Sequence, residues 1–163
     1  MPHRGPLHAR IAWEAYRVPT AALRFFNVFG PRQDPNSPYS GVITIFAERI
    51  RRGRPPILHG DGQQTRDFIY VSDVTRHLEA AVASLKADPR AFVCNVCTGH
   101  AITIEQLARR MAALMGRPDL PLEFGPARAA DIRFSRGDPG LAERALEVRA
   151  ETTLDEGLSA LLL

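Results

Sequence analysis

Residues 20–28 read TAALRFFNV, a short run that is almost entirely apolar. Such a run, without strict alternation of apolar and polar positions, is typical of a strand buried on both faces of a parallel sheet. Patterns with helical spacing lie on both sides of it, over residues 7–17 and 41–52. Strands that alternate with helices indicate helices layered on a parallel sheet. The sequence therefore predicts an α/β fold.

The other strands are short and are separated by turn residues. Clusters of Gly, Pro, Asn and Asp mark loops, the most irregular of which cover residues 30–38 and 126–138. Apolar and β-branched runs between the turn signals are expected to form strands. These runs cover residues 56–60, 65–71, 91–97 and 121–124.

Capping signals predict where the remaining helices begin. Ser72 is expected to be the N-cap of a helix that continues to residue 86. Two capping boxes, each a Thr with Gln or Glu three residues later, predict further helix starts at Thr103 and Thr153. Asp138 and Pro139 predict one more helix, as its N-cap and its first residue.

Composition and charge exclude several classes of protein. Hydrophobic residues make up 45% of the 163 residues and charged residues 24%, which is ordinary for one globular domain. No apolar run approaches the roughly 18 residues of a membrane helix, and the N-terminus lacks the apolar segment of a secretory signal. The net charge is +3, and the one dense Arg cluster, over residues 49–54, lies at a predicted helix end. We therefore expect no membrane or nucleic-acid partner.

The two cysteines, Cys94 and Cys97, lie on one predicted strand. Three strand steps separate their Cα atoms by about 10 Å and direct the side chains to opposite faces. A disulfide requires less than about 7 Å, and no second Cys pair completes a zinc site. We expect buried structural thiols and, in consequence, a cytoplasmic protein.

Three polar groups of residues are candidates for chemistry. Asn27 follows the buried strand and precedes a Gly-Pro turn, so it is placed either to bind a ligand beyond the strand end or to cap its own turn. Arg66 and Asp67 follow a turn with two glycines; they form either a phosphate clamp, in which Asp67 holds Arg66, or a weak surface ion pair. Arg128 and Asp131 either meet phosphate and ribose hydroxyls or lie in a solvated loop.

Four segments together resemble the second half of an extended short-chain dehydrogenase/reductase. They are LRFFNVFGPRQDPNSPYSGVI, ILHGDGQQTRDFIYVSDV, CNVCTGHAITIEQLA and, more loosely, ARAADIRFSRGDP. The resemblance is to the nucleotide-sugar epimerase/dehydratase group of the UDP-glucose 4-epimerase kind, and it runs from about residue 7 to 158. It implies a remnant of a Rossmann-type parallel sheet joined to a small α/β substrate-binding domain.

The resemblance also implies an organisation and a set of binding residues. Residues 1–40 would end the Rossmann part and residues 41–163 would be mainly substrate-binding, with 72–97 packing back on the Rossmann sheet. Phe26 would lie near the nicotinamide end of NAD. The residues implied for the nucleotide sugar are Asn27 and the phosphate-binding Arg66 and Arg128, Asp131 for the ribose, and Val42, Leu58 and His59 for the nucleotide pocket. Gly41 stands where some members have a ligand-binding Asn, so that contact is not expected here.

Two motifs of the family are missing from the sequence. It contains no G-x-x-G-x-x-G for NAD and no Tyr-x-x-x-Lys pair; the family's Lys position falls near Pro2 and its Tyr before Met1. We expect the chain to be the C-terminal portion of such an enzyme, which binds a UDP-sugar but does not perform the redox chemistry alone. We also expect no metal site. The alternatives are a non-catalytic UDP-sugar-binding module, a dimerisation module that uses residues 7–17, and an inactive truncated product. An exposed edge at residues 20–26 predicts an oligomer or a missing N-terminal partner.

Overall fold

The computed structural model describes residues 4–33 and 41–162. Those residues form helices and short strands in alternation, as the sequence predicts. The helices are α1 (Arg4–Tyr16), α2 (Val42–Arg51), α3 (Val71–Ala87), α4 (Ile104–Leu114), α5 (Gly140–Leu146) and α6 (Leu154–Leu162). The strands are β1 (Thr20–Phe25), β2 (Asn27–Phe29), β3 (Ile57–His59), β4 (Thr65–Tyr70), β5 (Ala91–Val96), β6 (Ala101–Thr103) and β7 (Glu123–Gly125).

The apolar run over residues 20–28 is two strands rather than the single predicted one. β1 pairs in parallel with β5, and β2 pairs in parallel with β4. Phe26 is the single residue between them, and its amide donates to the carbonyl of Val96 at 3.1 Å. The chain therefore changes its strand partner at Phe26. This change brings Asn27 beside Phe68 of β4.

The other pairings complete a mixed α/β fold. β3 pairs in parallel with β7, which confirms the short strand predicted near residues 121–124. β4 also pairs antiparallel with β6, a strand of three residues that we did not predict because its pattern is too short to read. Among the described residues, parallel pairs thus outnumber the antiparallel one, which agrees with the predicted α/β class.

The main hydrophobic core lies between α2, α4, α6 and the sheet of β2 and β4. α2 buries Ile43, Phe46, Ala47 and Ile50, the face that its helical spacing predicts. Leu107 and Met111 of α4 and Leu158 of α6 are fully buried against the same core. This packing holds α2 over the ends of the central strands, where the cavity described below is found.

The predicted helix starts are confirmed at the two capping boxes. Thr103 and Gln106 exchange the two expected hydrogen bonds, and Thr153 and Glu156 do the same at the start of α6. The N-cap of α5 is Pro139, one residue later than predicted. Asp138 nevertheless accepts the Gly140 amide at 2.9 Å.

The prediction that Ser72 caps a helix is wrong. The N-cap of α3 is Tyr70, and no side chain caps it. The residue that stabilises this helix start is Asp73, which is 1% exposed and accepts the amides of Glu151 and Thr152. Arg76 also donates to Asp73. A carboxylate in the first turn of α3 therefore fixes the segment that precedes α6.

The burial predicted for the two thiols is confirmed. Cys94 and Cys97 are fully buried and unbonded to each other. Cys94 packs with Ala142 and Leu146, while Cys97 lies just after β5, against Gly137. Burial raises the pKa of the Cys94 thiol. Burial, and after it the nearby charge of Asp67, raise the pKa of Cys97 to about 12.

In the part of the chain that the structure describes, no helix has both the length and the apolar character needed to span a bilayer. The longest helix, α3, has 17 residues and carries charged residues along its length.

Candidate functional site

A cavity of about 340 Å³ lies where β2, β3 and β4 approach α2. Its remaining wall is the irregular segment between β7 and α5, residues 126–139, which we call the 126–139 segment. The cavity lies at the low end of the range that small-molecule sites occupy. Six of the eight residues that the sequence singled out line it: Asn27, Val42, His59, Arg66, Arg128 and Asp131.

Arg66 is held rigidly on the cavity wall. One of its terminal nitrogens donates to the carbonyls of Thr65 at 2.7 Å and Ile132 at 2.6 Å, and the other forms an ion pair with Asp131. The Arg66 side chain is 16% exposed, so this pair is shielded better than a surface pair. The guanidinium is therefore fixed in direction before any ligand arrives.

The expectation that Asp67 holds Arg66 is wrong. Asp67 is fully buried, and its oxygens accept hydrogen bonds from the backbone and hydroxyl of Thr98 and from the amides of Gly99 and Gly137. The physical reason is the alternation of a strand, which directs consecutive side chains to opposite faces. Asp131, 65 positions after Arg66 in the sequence, is the carboxylate that holds it.

Asn27 lies across from β4, and among the described residues its side chain makes no hydrogen bond to its own turn. Its amide nitrogen donates to the carbonyl of Asp67 at 2.8 Å. That bond uses one of the two amide hydrogens. The second hydrogen and the amide oxygen have no partner among the described residues. Asn27 lines the cavity. It therefore presents both a donor and an acceptor at the carboxyl end of the run that contains β1, the position where ligands bind in open α/β sheets.

The 126–139 segment is attached to β4 along its length. The Thr65 amide donates to the backbone carbonyl of Arg133 at 2.9 Å, and the Ser135 amide donates to the backbone carbonyl of Thr65 at 3.2 Å. Arg133 also pairs with Asp61 at 2.6 Å. The hydrogen bond from Arg133, followed by that from the Gln63 amide, lowers the pKa of Asp61 to about 2. The loop is thus exposed on one side and anchored on the other, which places Arg128 and Asp131 at the cavity.

Two of the predicted residues lie elsewhere. Leu58 is fully buried in the hydrophobic core, because β3 directs Ile57 and His59 to the cavity and the residue between them to the opposite side. This corrects the expectation that Leu58 lines the pocket. Phe26 is also outside the cavity wall, and its ring lies against Gly137.

Six residues that sequence reasoning missed also line the cavity: Ile45, Phe46, Arg49, Ile57, Gln64 and Ile104. Strand alternation around His59 was a signal for Ile57. Nothing in the sequence distinguishes the buried Gln64 from the exposed Gln63 beside it. Within the described ranges, no three His, Cys, Asp or Glu side chains are grouped as metal ligands.

The chain is similar in sequence to proteins of one known family. The sequence profile of the NAD dependent epimerase/dehydratase family matches residues 7–97. The UDP-glucose 4-epimerase of Mycolicibacterium smegmatis is 38% identical over 155 residues, which are 95% of this chain and 48% of that protein. The dTDP-L-rhamnose 4-epimerase of Burkholderia thailandensis is 32% identical over 94% of this chain and 42% of its own length.

The fold is similar to that of solved epimerases. The crystal structure of Thermotoga maritima UDP-glucose 4-epimerase with UDP-glucose superposes with a TM-score of 0.86 at 32% identity, over 96% of this chain and 49% of that one. The chain therefore spans about half the length of the relatives it matches, and its parallel strand pairs are those of a partial Rossmann-type fold. From the profile match, the sequence identity and the superposition, we conclude that the chain belongs to the NAD dependent epimerase/dehydratase family.

Proposed function

We propose that this chain forms the nucleotide-sugar-binding part of an NAD-dependent sugar-nucleotide epimerase of the UDP-glucose 4-epimerase kind. The observation that supports it most directly is the convergence of Asn27, Arg66, Arg128 and Asp131 on one cavity. These residues come from β2, β4 and the 126–139 segment, which lie far apart in the sequence. Such convergence of charged and amide groups is what a diphosphate with an attached sugar requires.

Each polar group has a role that its chemistry suits. Arg66 and Arg128 offer forked N–H donors, which match the oxygens of a diphosphate. Asp131 accepts hydrogen bonds, as ribose hydroxyls require, and Asn27 supplies an amide donor to the diphosphate. The fixed guanidinium of Arg66 reduces the conformational entropy that binding would otherwise cost.

The nucleotide base is proposed to occupy the less polar end of the cavity. Ile45, Phe46 and Ile57 line that end, together with Val42 and the ring of His59. The His59 ring nitrogen Nδ1 lies 3.3 Å from the carbonyl of Pro126, which ties β3 to the 126–139 segment. A flat ring over apolar side chains suits a pyrimidine base.

The residues of this chain do not fit NAD on their own. Phe26 is the one residue proposed near the nicotinamide, and its ring lies against Gly137. The sequence has no glycine-rich phosphate loop and no Tyr-x-x-x-Lys pair. We therefore propose that groups outside these 163 residues supply the cofactor site and the proton transfer, and we assign no redox step to this chain.

Several finer statements belong to the same proposal. The reaction of the complete enzyme would be an epimerisation, an isomerase reaction, in the cytoplasm. The 163 residues would act as one unit, in which 1–40 end the Rossmann part and 41–163 bind mainly substrate. Support for the packing of 72–97 on the Rossmann part comes from the pairing of β5 with β1.

Calorimetry tests the proposal. UDP-glucose is titrated into the folded chain and into two variants, Arg128→Gln and the control Arg136→Gln, whose exposed side chain belongs to the same segment and lies outside the cavity wall. Loss of one charge-assisted contact is expected to weaken binding about tenfold in Arg128→Gln, while the control binds as the wild type does. Absence of heat at millimolar UDP-glucose, with a folded circular dichroism spectrum, would contradict the proposal.

A further inference from the structure

Gln64 is a buried residue of the cavity wall, where no sequence signal placed a functional residue. Its side chain is an amide in a residue that is only 7% exposed. The amide nitrogen donates to the carbonyl of His59 at 2.9 Å and lies 3.5 Å from Oδ2 of Asp131. We infer that Gln64 is a positioning residue, which orients the Asp131 carboxylate and, through it, the Arg66 guanidinium for the nucleotide sugar.

The two oxygens of Asp131 have different partners. Oδ1 accepts from Arg66, and Oδ2 faces the amide of Gln64. Donors on both oxygens fix the plane of the carboxylate, whereas the Arg66 contact alone would let it rotate. Because Arg66 is bound on its other nitrogen to two backbone carbonyls, a fixed Asp131 leaves the guanidinium with a single orientation.

Charge explains why an amide suits this position. A neutral amide donates a hydrogen bond without neutralising the Arg66 charge or adding a second negative one. A carboxylate at the same place would lie beside Asp131, and the two like charges would repel each other. A Lys or Arg would instead compete with Arg66 for Asp131.

The backbone of Gln64 contacts another wall of the same cavity. Its carbonyl accepts the amide of Ile104, the first residue of α4, at 3.0 Å. His59, Asp131 and Ile104 all line the cavity, and each is bonded to Gln64 or within reach of its amide. One residue therefore links β3, the 126–139 segment and α4.

This inference rests on the proposed function, and its test separates the two. UDP-glucose is titrated into the wild type, Gln64→Met, Gln64→Glu and the control Gln63→Met. Gln63 has the same side chain, is exposed and bonds to Glu105 instead of a cavity residue. We expect binding about tenfold weaker in Gln64→Met, the equivalent of one lost hydrogen bond to a charged group, and unchanged binding in Gln63→Met.

The Gln64→Glu variant carries the decisive measurement, a pH profile. An ionised Glu repels Asp131 and has no hydrogen to donate. A protonated Glu carries one O–H, which removes the repulsion and can donate either to Asp131 or to the carbonyl of His59. Burial and the neighbouring carboxylate raise the pKa of such a Glu above its ordinary value of about 4.3. The affinity of Gln64→Glu is therefore expected to recover as the pH falls from about 8 to about 5.5, relative to the wild type at each pH.

The outcomes are distinguishable. If the wild type does not bind UDP-glucose, the proposed function fails. If the wild type binds and Gln64→Met binds equally well, or if the deficit of Gln64→Glu is the same at every pH, the inference fails. Should neither variant fold, NMR of the wild type decides: the Gln64 side-chain amide signals are expected to shift on addition of UDP-glucose, and unshifted Gln64 signals at saturation overturn the inference.

Discussion

The buried carboxylate of Asp67 accepts the amide hydrogen of Gly137 at 3.2 Å, although the two residues lie 70 positions apart in the sequence. The same oxygen, Oδ2, also accepts the amide of Gly99, and Oδ1 accepts both donors of Thr98. One side chain thus closes the turn after β5 and attaches the end of the 126–139 segment to it. Its contribution is to stability and to the position of the cavity wall, not to ligand contact.

The substitution Asp67→Asn is expected to destabilise the fold. Because Oδ1 and Oδ2 of Asp67 both accept backbone N–H groups, either orientation of the Asn amide places its NH₂ against at least one N–H, and two donors cannot satisfy each other. The expected loss is about 2–3 kcal/mol in the free energy of unfolding, measured by urea denaturation. The control Asp88→Asn, at an exposed ion pair, is expected to change it by less than about 1 kcal/mol. Equal effects of the two substitutions would refute this account of Asp67.

A methyl group at Gly137 has no room. A Cβ added there would clash with Sγ of Cys97 and lie 2.9 Å from the ring of Phe26. Overpacking of this kind is expected to cost about 1–3 kcal/mol. Thermal unfolding should therefore occur at a clearly lower temperature in Gly137→Ala. Gly41→Ala serves as the control, because the nearest atom to its Cβ among the described residues is 3.6 Å away. A Gly137→Ala unfolding midpoint equal to that of the control would contradict this prediction.

Because its thiols are buried, we expect the folded protein to lose stability at alkaline pH. Folding raises the pKa of Cys97 to about 12. The folded chain therefore keeps a proton that the unfolded chain releases above about pH 8.5, so the free energy of unfolding falls as the pH rises from there. The decline should be smaller in Cys97→Ala, as measured by urea denaturation at a series of pH values. Rapid labelling of the native thiols by a disulfide reagent at about pH 8 would count against their burial.

Self-association is the fourth expectation, and it concerns α1 and β1. Among the described strands β1 pairs with β5 alone, and the exposed apolar residues nearby include Ile11, 47% exposed, and Phe25, 48% exposed. An exposed strand edge with an apolar helix face favours association. Light scattering should show oligomers that Ile11→Lys weakens and that the control Ile132→Lys, at a 62% exposed residue of the 126–139 segment, does not. A monomeric wild type would contradict this prediction.

How much of the fold could be predicted depended on the length of each pattern. Helical spacing over α2 and two capping boxes located helices correctly, because these signals are local and involve side chains within one turn. The break at Phe26 was not predictable, because the pattern TAALRFFNV has no Gly or Pro and the change of partner depends on where β4 and β5 lie. The three-residue β6 was missed because its pattern is too short to read.

In the candidate site, too, some features could be predicted from the sequence and others could not. Arg66 was proposed from a distinctive segment and Asp131 from a looser match, and the structure brings the two into one ion pair. Their partners were assigned wrongly where adjacency in sequence was taken for adjacency in space, as with Asp67. Strand alternation placed Leu58 in the core. Gln64 could not be found at all, since its role depends on a carboxylate 67 positions away.

Because the chain changes strand partner at Phe26, β1 is joined to the cavity residue Asn27 by one residue and not by a loop. Phe25 is paired with Val96 on one side, and Asn27 is bonded to Asp67 and lines the cavity. A single residue, which spans only about 3.3 Å of strand, lies between them. We therefore expect the Asn27 amide to move with β1 if β1 shifts along its own axis. A subunit or domain that docks on the edge of β1 would cause such a shift.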